Sequence, residues 1–128
     1  MPTKEEMEEQ GTFNRWLAAY QATRQALSDT IINLNNALLT TLPEDQPPIQ
    51  LQITLQQQKI NALDNERLLF YAGKITMTPP SNTTITHLKE FATQADKMVN
   101  NAKASNQIIQ VADRAVSVYE AAVHKKTA

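Results

Sequence analysis

The chain has 128 residues, of which 41% are hydrophobic, with a formal net charge of −1, no cysteine and only two glycines. That length suffices for one domain with its own core, and so small a net charge supplies no overall field to attract nucleic acid or an anionic membrane. Disulfide and thiolate chemistry are excluded without cysteine, and no apolar run reaches the roughly eighteen residues that a bilayer-spanning helix needs.

Residues 1–11 read as an acidic polar N-terminal segment. Glu5, Glu6, Glu8 and Glu9 suit the positive end of a helix dipole. The segment is unlike a cleavable signal peptide, which places the chain in the cytoplasm when it folds; signal-independent export is the alternative. A single helical-bundle domain is expected over 12–128. Thr12 is the expected N-cap of a first helix over about 12–41. Its apolar line runs Phe13, Leu17, Tyr20, Leu27, Ile31, Leu34 and Leu38, at spacings of three, four and seven. Arg24 falls on that line and Trp16 flanks it. Pro43 biases Leu42 away from helical angles and ends the helix.

A second helix is expected over about 47–72, with Asp45 as its cap and Pro47 and Pro48 in the first turn, where a missing amide costs little. Ile49, Leu51, Ile53 and Leu55 alternate with polar residues, as a half-buried strand would. The stretch nevertheless runs without a turn signal into Ile60, Leu63, Arg67 and Phe70, and a lone strand has no evident partner. The helix reading gives an interior line of Ile49, Ile53, Ile60, Leu63 and Phe70, with Gly73 as the stop signal.

Pro79-Pro80-Ser81-Asn82 then marks a connection, with Asn82 or Thr83 as the cap of a third helix over about 83–124. Phe91, Met98, Ser105, Ala112 and Tyr119 fall on one heptad line; Leu88, Ala95, Ala102, Ile109, Val116 and Val123 fall on the other. No proline or glycine occurs after Pro80, so the spacing predicts one uninterrupted helix, about 60 Å long for some forty residues. The small residues at its middle, Ala95, Ala102 and Ser105, imply that another helix passes close there. Ala102→Leu should then overpack the seam. The predicted architecture is all-α: three long antiparallel helices in an up-down-up bundle or coiled-coil-like assembly.

A search for chemistry returns no catalytic, metal or cofactor set. His87 and His124 stand alone; Glu90 lies three residues after His87, but two ligands do not make a site. No Glu-x-x-His pair, glycine-rich phosphate loop or nucleophile elbow is present. Asn82-Thr83-Thr84 matches a glycosylation sequon but reads as a polar loop with a helix cap. Basic residues such as Lys97, Lys103 and Arg114 are scattered among acids and asparagines, so nucleic-acid binding is not expected.

What remains is interaction. Trp16, Arg24, Arg67, Phe91, Met98, Ala102 and Tyr119 form the candidate interface set. Trp16 belongs to the residue type most enriched at hot spots. Arg24 and Arg67 each occupy an apolar line, where the stem packs and the guanidinium either reaches solvent beside Asp64 or Glu66 or enters a buried ion pair. The third helix outruns the other two, so a protein partner or self-association is expected. Long antiparallel helices joined by Pro-rich loops resemble, in shape alone, secretion-system subunits and their small helical chaperones. The function expected is therefore a non-enzymatic adaptor, chaperone or assembly subunit. The alternative is a secreted helical effector or toxin acting on a host or competitor target, and a third reading is an enzyme with an unrecognised site.

Overall fold

A computed structural model describes all residues, 1–128. The chain is 79% helical, with five helices in place of the three that the sequence suggested. They are α1 (Lys4–Gln10), α2 (Phe13–Leu38), α3 (Gln46–Tyr71), α4 (Asn82–Met98) and α5 (Ser105–Val123).

The N-terminal segment does not stand apart from the domain. Thr3 and Glu6 close a reciprocal capping box: the Thr3 hydroxyl accepts from the Glu6 amide at 3.2 Å, and the Glu6 carboxylate accepts from the Thr3 amide at 3.3 Å. Gly11 ends α1 in the left-handed conformation at φ 73°, and Met7 is fully buried in the common core. After α2, a short 3-10 turn at Pro43–Asp45 leads directly into α3. The alternating Ile49–Leu55 stretch is helical, and Pro47 and Pro48 lie within its first turn.

Two very short strands, β1 (Ile75–Thr76) and β2 (Lys126–Thr127), pair antiparallel with Ile75 opposite Thr127. They tie the end of the chain to the α3–α4 connection, helped by the Thr78 amide donating to the Val123 carbonyl at 2.7 Å. α5 ends at Val123 because His124 adopts the left-handed conformation at φ 44°. The cap of α4 is Ser81, one residue before the expected pair, and its hydroxyl accepts from the Thr84 amide at 3.1 Å.

The expected forty-residue helix is broken. Val99–Asn101 turn the chain and Ala102–Ala104 form a 3-10 segment, so α4 and α5 fold back on each other as an antiparallel pair. The cause is a side chain from another helix. Asn33 of α2 is fully buried, and its carboxamide nitrogen donates to the carbonyls of Met98 (2.8 Å), Val99 (3.2 Å) and Asn101 (2.9 Å). Its oxygen accepts from the Ser105 hydroxyl at 2.9 Å. The Val99 carbonyl gains a donor in this way, and the Met98 and Asn101 carbonyls, which already accept from the Asn101 and Ala104 amides, gain a second. Asn101 supports the turn locally, accepting from the Lys103 amide at 3.1 Å.

The result is an up-down-up-down bundle of four long helices. α2 is its centre and packs on α3, α4 and α5. α3 is peripheral: of the long helices only α2 packs closely along it. Ion pairs from Lys59 to Asp113 of α5 and from Glu66 to Lys125 just after it tie α3 to the last part of the chain. α3 and α5 run in the same direction, since later residues of α3 meet later residues in and just past α5.

Candidate functional site

The seven residues singled out from the sequence do not converge on one surface. Trp16 and Tyr119 are both in the core. The indole N–H of Trp16 donates to the Tyr119 hydroxyl at 3.1 Å and also faces the Met77 sulfur at 3.0 Å. Trp16 stacks on Tyr20 with ring centroids 5.3 Å apart and meets Phe70 at 4.9 Å. Burial pushes the Tyr119 phenol pKa well up. Both side chains are therefore structural centres, closed to any partner in this conformation.

Arg24 and Arg67 lie along the α2–α3 contact. Arg24 grips Asp64 with two parallel bonds, Nε to Oδ1 at 3.0 Å and Nη2 to Oδ2 at 3.1 Å, and Tyr20 donates its hydroxyl proton to the same carboxylate. The pair is half-exposed, so it lies between the two sequence expectations. The bond from Arg24 is the largest influence holding the Asp64 carboxyl below its usual range; Tyr20 adds to it and burial opposes. Burial, then the Asp64 bond, pushes Tyr20 up to about 12. Arg67 stacks its guanidinium near the Tyr20 and Tyr71 rings, at 5.8 Å and 5.9 Å from their centroids.

Phe91 and Met98 are half-buried on α4 against the core. Ala102 requires a correction. It is exposed in the 3-10 segment, with no helix passing close above a seam there; the buried small residue is Ala104. The break shifts the helical phase, so the α5 core runs Ile108, Val111, Ala112, Ala115, Tyr119 and Val123, and Ile109 and Val116 are only half-buried.

Exposed apolar side chains are found in the α2–α3 connection, at Leu39 and Leu42, and most numerously on α3, at Leu51, Leu55, Leu68, Leu69 and Tyr71. A groove of about 510 Å³ opens between the first halves of α3 and α5, floored by Leu34 of α2. Ile49 and Leu51 form one wall, Ile109 and Ser105 the other, and no charged residue lines it. From its lip, a row of exposed residues continues along the outer face of α3. Leu51 is 58% exposed, Leu55 37% and Leu69 38%, with Gln58, Ala62 and Asn65 exposed between them. The whole of residues 46–58 carries no charge. Depletion of charge is one compositional mark of an interface centre.

In the sequence Leu51 and Leu55 stand out only as part of a strand-like alternation, and the inner line of α3 leaves Gln58, Ala62, Asn65 and Leu69 without a role. The signal was present: positions 51, 55, 58, 62, 65 and 69 alternate four and three, as a second seam does. No three or more His, Cys, Asp or Glu side chains are grouped closely enough to hold a metal ion, and no helix is long and apolar enough to cross a membrane. No protein-family model, curated protein or solved structure matches this chain.

Proposed function

We propose that this chain is a protein–protein interaction module, an adaptor, chaperone or assembly subunit without enzymatic activity of its own. The observation that carries this reading is the uncharged apolar face of α3 together with the groove beside it. A helix of a stable bundle normally turns one stripe to the core and a charged face to water. α3 turns Gln56, Ile60, Leu63 and Phe70 inward, yet also sets Leu51, Leu55 and Leu69 in solvent. Full burial of a leucine is worth roughly 1.5–3 kcal/mol, and with Leu51 58%, Leu55 37% and Leu69 38% exposed a bound protein surface recovers part of that from each. Grooves between helices with apolar floors take amphipathic helices through anchors at i, i+3, i+4 and i+7.

Photo-cross-linking tests the reading. A photoreactive amino acid in place of Leu55, in the full chain expressed in the cells that make it, is expected to give covalent adducts to protein. The same probe in place of Thr93, exposed on α4, is expected to give none. No adduct from position 55, or equal adducts from both positions, would overturn the assignment of this face.

A further inference from the structure

We infer that the surface covering the outer face of α3 is a second copy of this chain, the two α3 helices packing against each other along the row Leu51, Leu55, Gln58, Ala62, Asn65 and Leu69. The inference rests on the interaction reading above and names its partner.

Spacing is the first support. The six positions alternate four and three from end to end without a slip, which keeps them in one stripe of the helix surface, as the seam for a second helix is. From Leu51 to Leu69 they cover nineteen residues, with about 27 Å of helix between the ends. Nothing within the chain occupies that line: all six are exposed, and α2 packs on the opposite side of α3. Spacing alone leaves the identity of the second helix open.

Charge decides it. None of the six residues is ionisable, so a partner with an acidic or basic face finds nothing to pair with here. A copy brings the same uncharged row, without the like-charge repulsion that usually opposes self-contact, and the net charge of −1 adds little between whole molecules. The flanking charges are already engaged within each subunit, Lys59 with Asp113 and Glu66 with Lys125. Gln58 and Asn65 point the same way. A carboxamide carries both donor and acceptor, so it satisfies an identical carboxamide across a two-fold axis. A polar amide in an otherwise apolar seam also fixes register between like helices. Ala62, the one small residue of the row, sits near the seam midpoint, where two backbones approach most closely. The contact is isologous and closes as a dimer, leaving no repeated surface to propagate.

The test uses the purified full chain. Sedimentation equilibrium over a concentration series reaching the millimolar range is expected to show monomer and dimer. Leu55→Glu combined with Leu69→Glu is expected to weaken dimerisation by about tenfold or more, because each carboxylate would be buried without a partner. Circular dichroism at low concentration checks that the helices persist. Should the double variant lose its fold, Gln58→Glu at an exposed position supplies the same test with a good helix former. The chain has no cysteine, so Ala62→Cys with a short bismaleimide is expected to link two copies, whereas Thr93→Cys is not. A monomer at every concentration would overturn the inference. So would a dimer indifferent to these substitutions and linked equally through position 93. If the chain is monomeric while position 55 still captures a different protein in cells, self-association fails and the interaction reading stands. A monomer with no adduct from position 55 removes both.

Discussion

The carboxamide oxygen of Asn33 and the hydroxyl of Ser105 meet at 2.9 Å, although the residues are 72 apart in the chain. Asn33 thereby holds the first residue of α5 while its nitrogen holds the last carbonyls of α4. One buried side chain on the central helix fixes where a long amphipathic stretch folds in two.

Replacing Asn33 by alanine removes four hydrogen-bond contacts and leaves the Val99 carbonyl without a donor beside the core, while the Met98 and Asn101 carbonyls keep only their main-chain donors. Each buried polar group left unsatisfied costs about 1–3 kcal/mol. Asn33→Ala is therefore expected to lower stability by about 2–3 kcal/mol in denaturant melts, and Ser105→Ala by about 1 kcal/mol, since it removes one hydroxyl proton, shared between the Asn33 oxygen and the Ala102 carbonyl. A loss for Asn33→Ala no larger than that for Ser105→Ala would mean that the break holds without it.

The position of that break reverses an expectation for two alanines. Ala102 is exposed and Ala104 is buried. Ala102→Leu is expected to leave the melt unchanged, and Ala104→Leu to cost about 1–3 kcal/mol through overpacking. Equal melts for the two variants would place neither residue against a neighbouring helix.

Element type was legible wherever periodicity was local. The lines through Leu27 and Leu34 on α2, and through Ile60, Leu63 and Phe70 on α3, are buried as the spacing implied. Gly73 sits at the end of α3 with φ 72°, as a left-handed stop requires. The α4–α5 break was not legible, because its cause is a contact from Asn33 and not a breaker in its own stretch. Heptads continue through Ala102 on paper; Asn100-Asn101 was the one local signal, and two asparagines alone do not end a helix. The surroundings of Trp16 were hidden for a related reason. It lies beside the apolar line of α2, and only the return of α5 brings Tyr119 to its indole nitrogen. The exposed row on α3 was legible as spacing but not as surface, since exposure depends on which helices fail to cover it.

Trp16 is the only tryptophan, so its emission reports on this core directly. Native emission is expected to be blue-shifted and to move red on unfolding. Tyr119→Phe leaves the indole N–H facing only the Met77 sulfur, and is expected to cost about 1 kcal/mol. Tyrosine absorbance should follow the same burial: Tyr20 ionises at about 12, and Tyr119 only as the fold opens. Ionisation of Tyr20 and Tyr119 below that range in the native protein would show that the core admits solvent.

Two carboxylates on opposite sides of their usual pKa supply the sharpest contrast. Asp64 is held low, chiefly by its bonds from Arg24. Asp29 is held high, chiefly by burial, with Asp96 adding to the rise and the Gln25 amide, 2.8 Å from Oδ1, opposing it. Its other oxygen is buried and has no protein donor. By linkage, a depressed carboxyl stabilises the fold at pH above its unfolded value of 3.8, and that contribution is lost as pH falls through the folded value. A raised carboxyl acts in reverse: the folded state holds the proton more tightly, so stability declines as pH rises from 3.8 through the higher folded value. At neutral pH, Asp64→Asn is therefore expected to lower the Tm and Asp29→Asn to raise it. The Asp29→Asn difference should shrink as pH falls through the raised folded value toward 3.8, and the Asp64→Asn difference only as pH falls below 3.8 through the lowered folded value. A fall in Tm for Asp29→Asn at neutral pH would show that its second oxygen is held by a donor worth more than the burial costs.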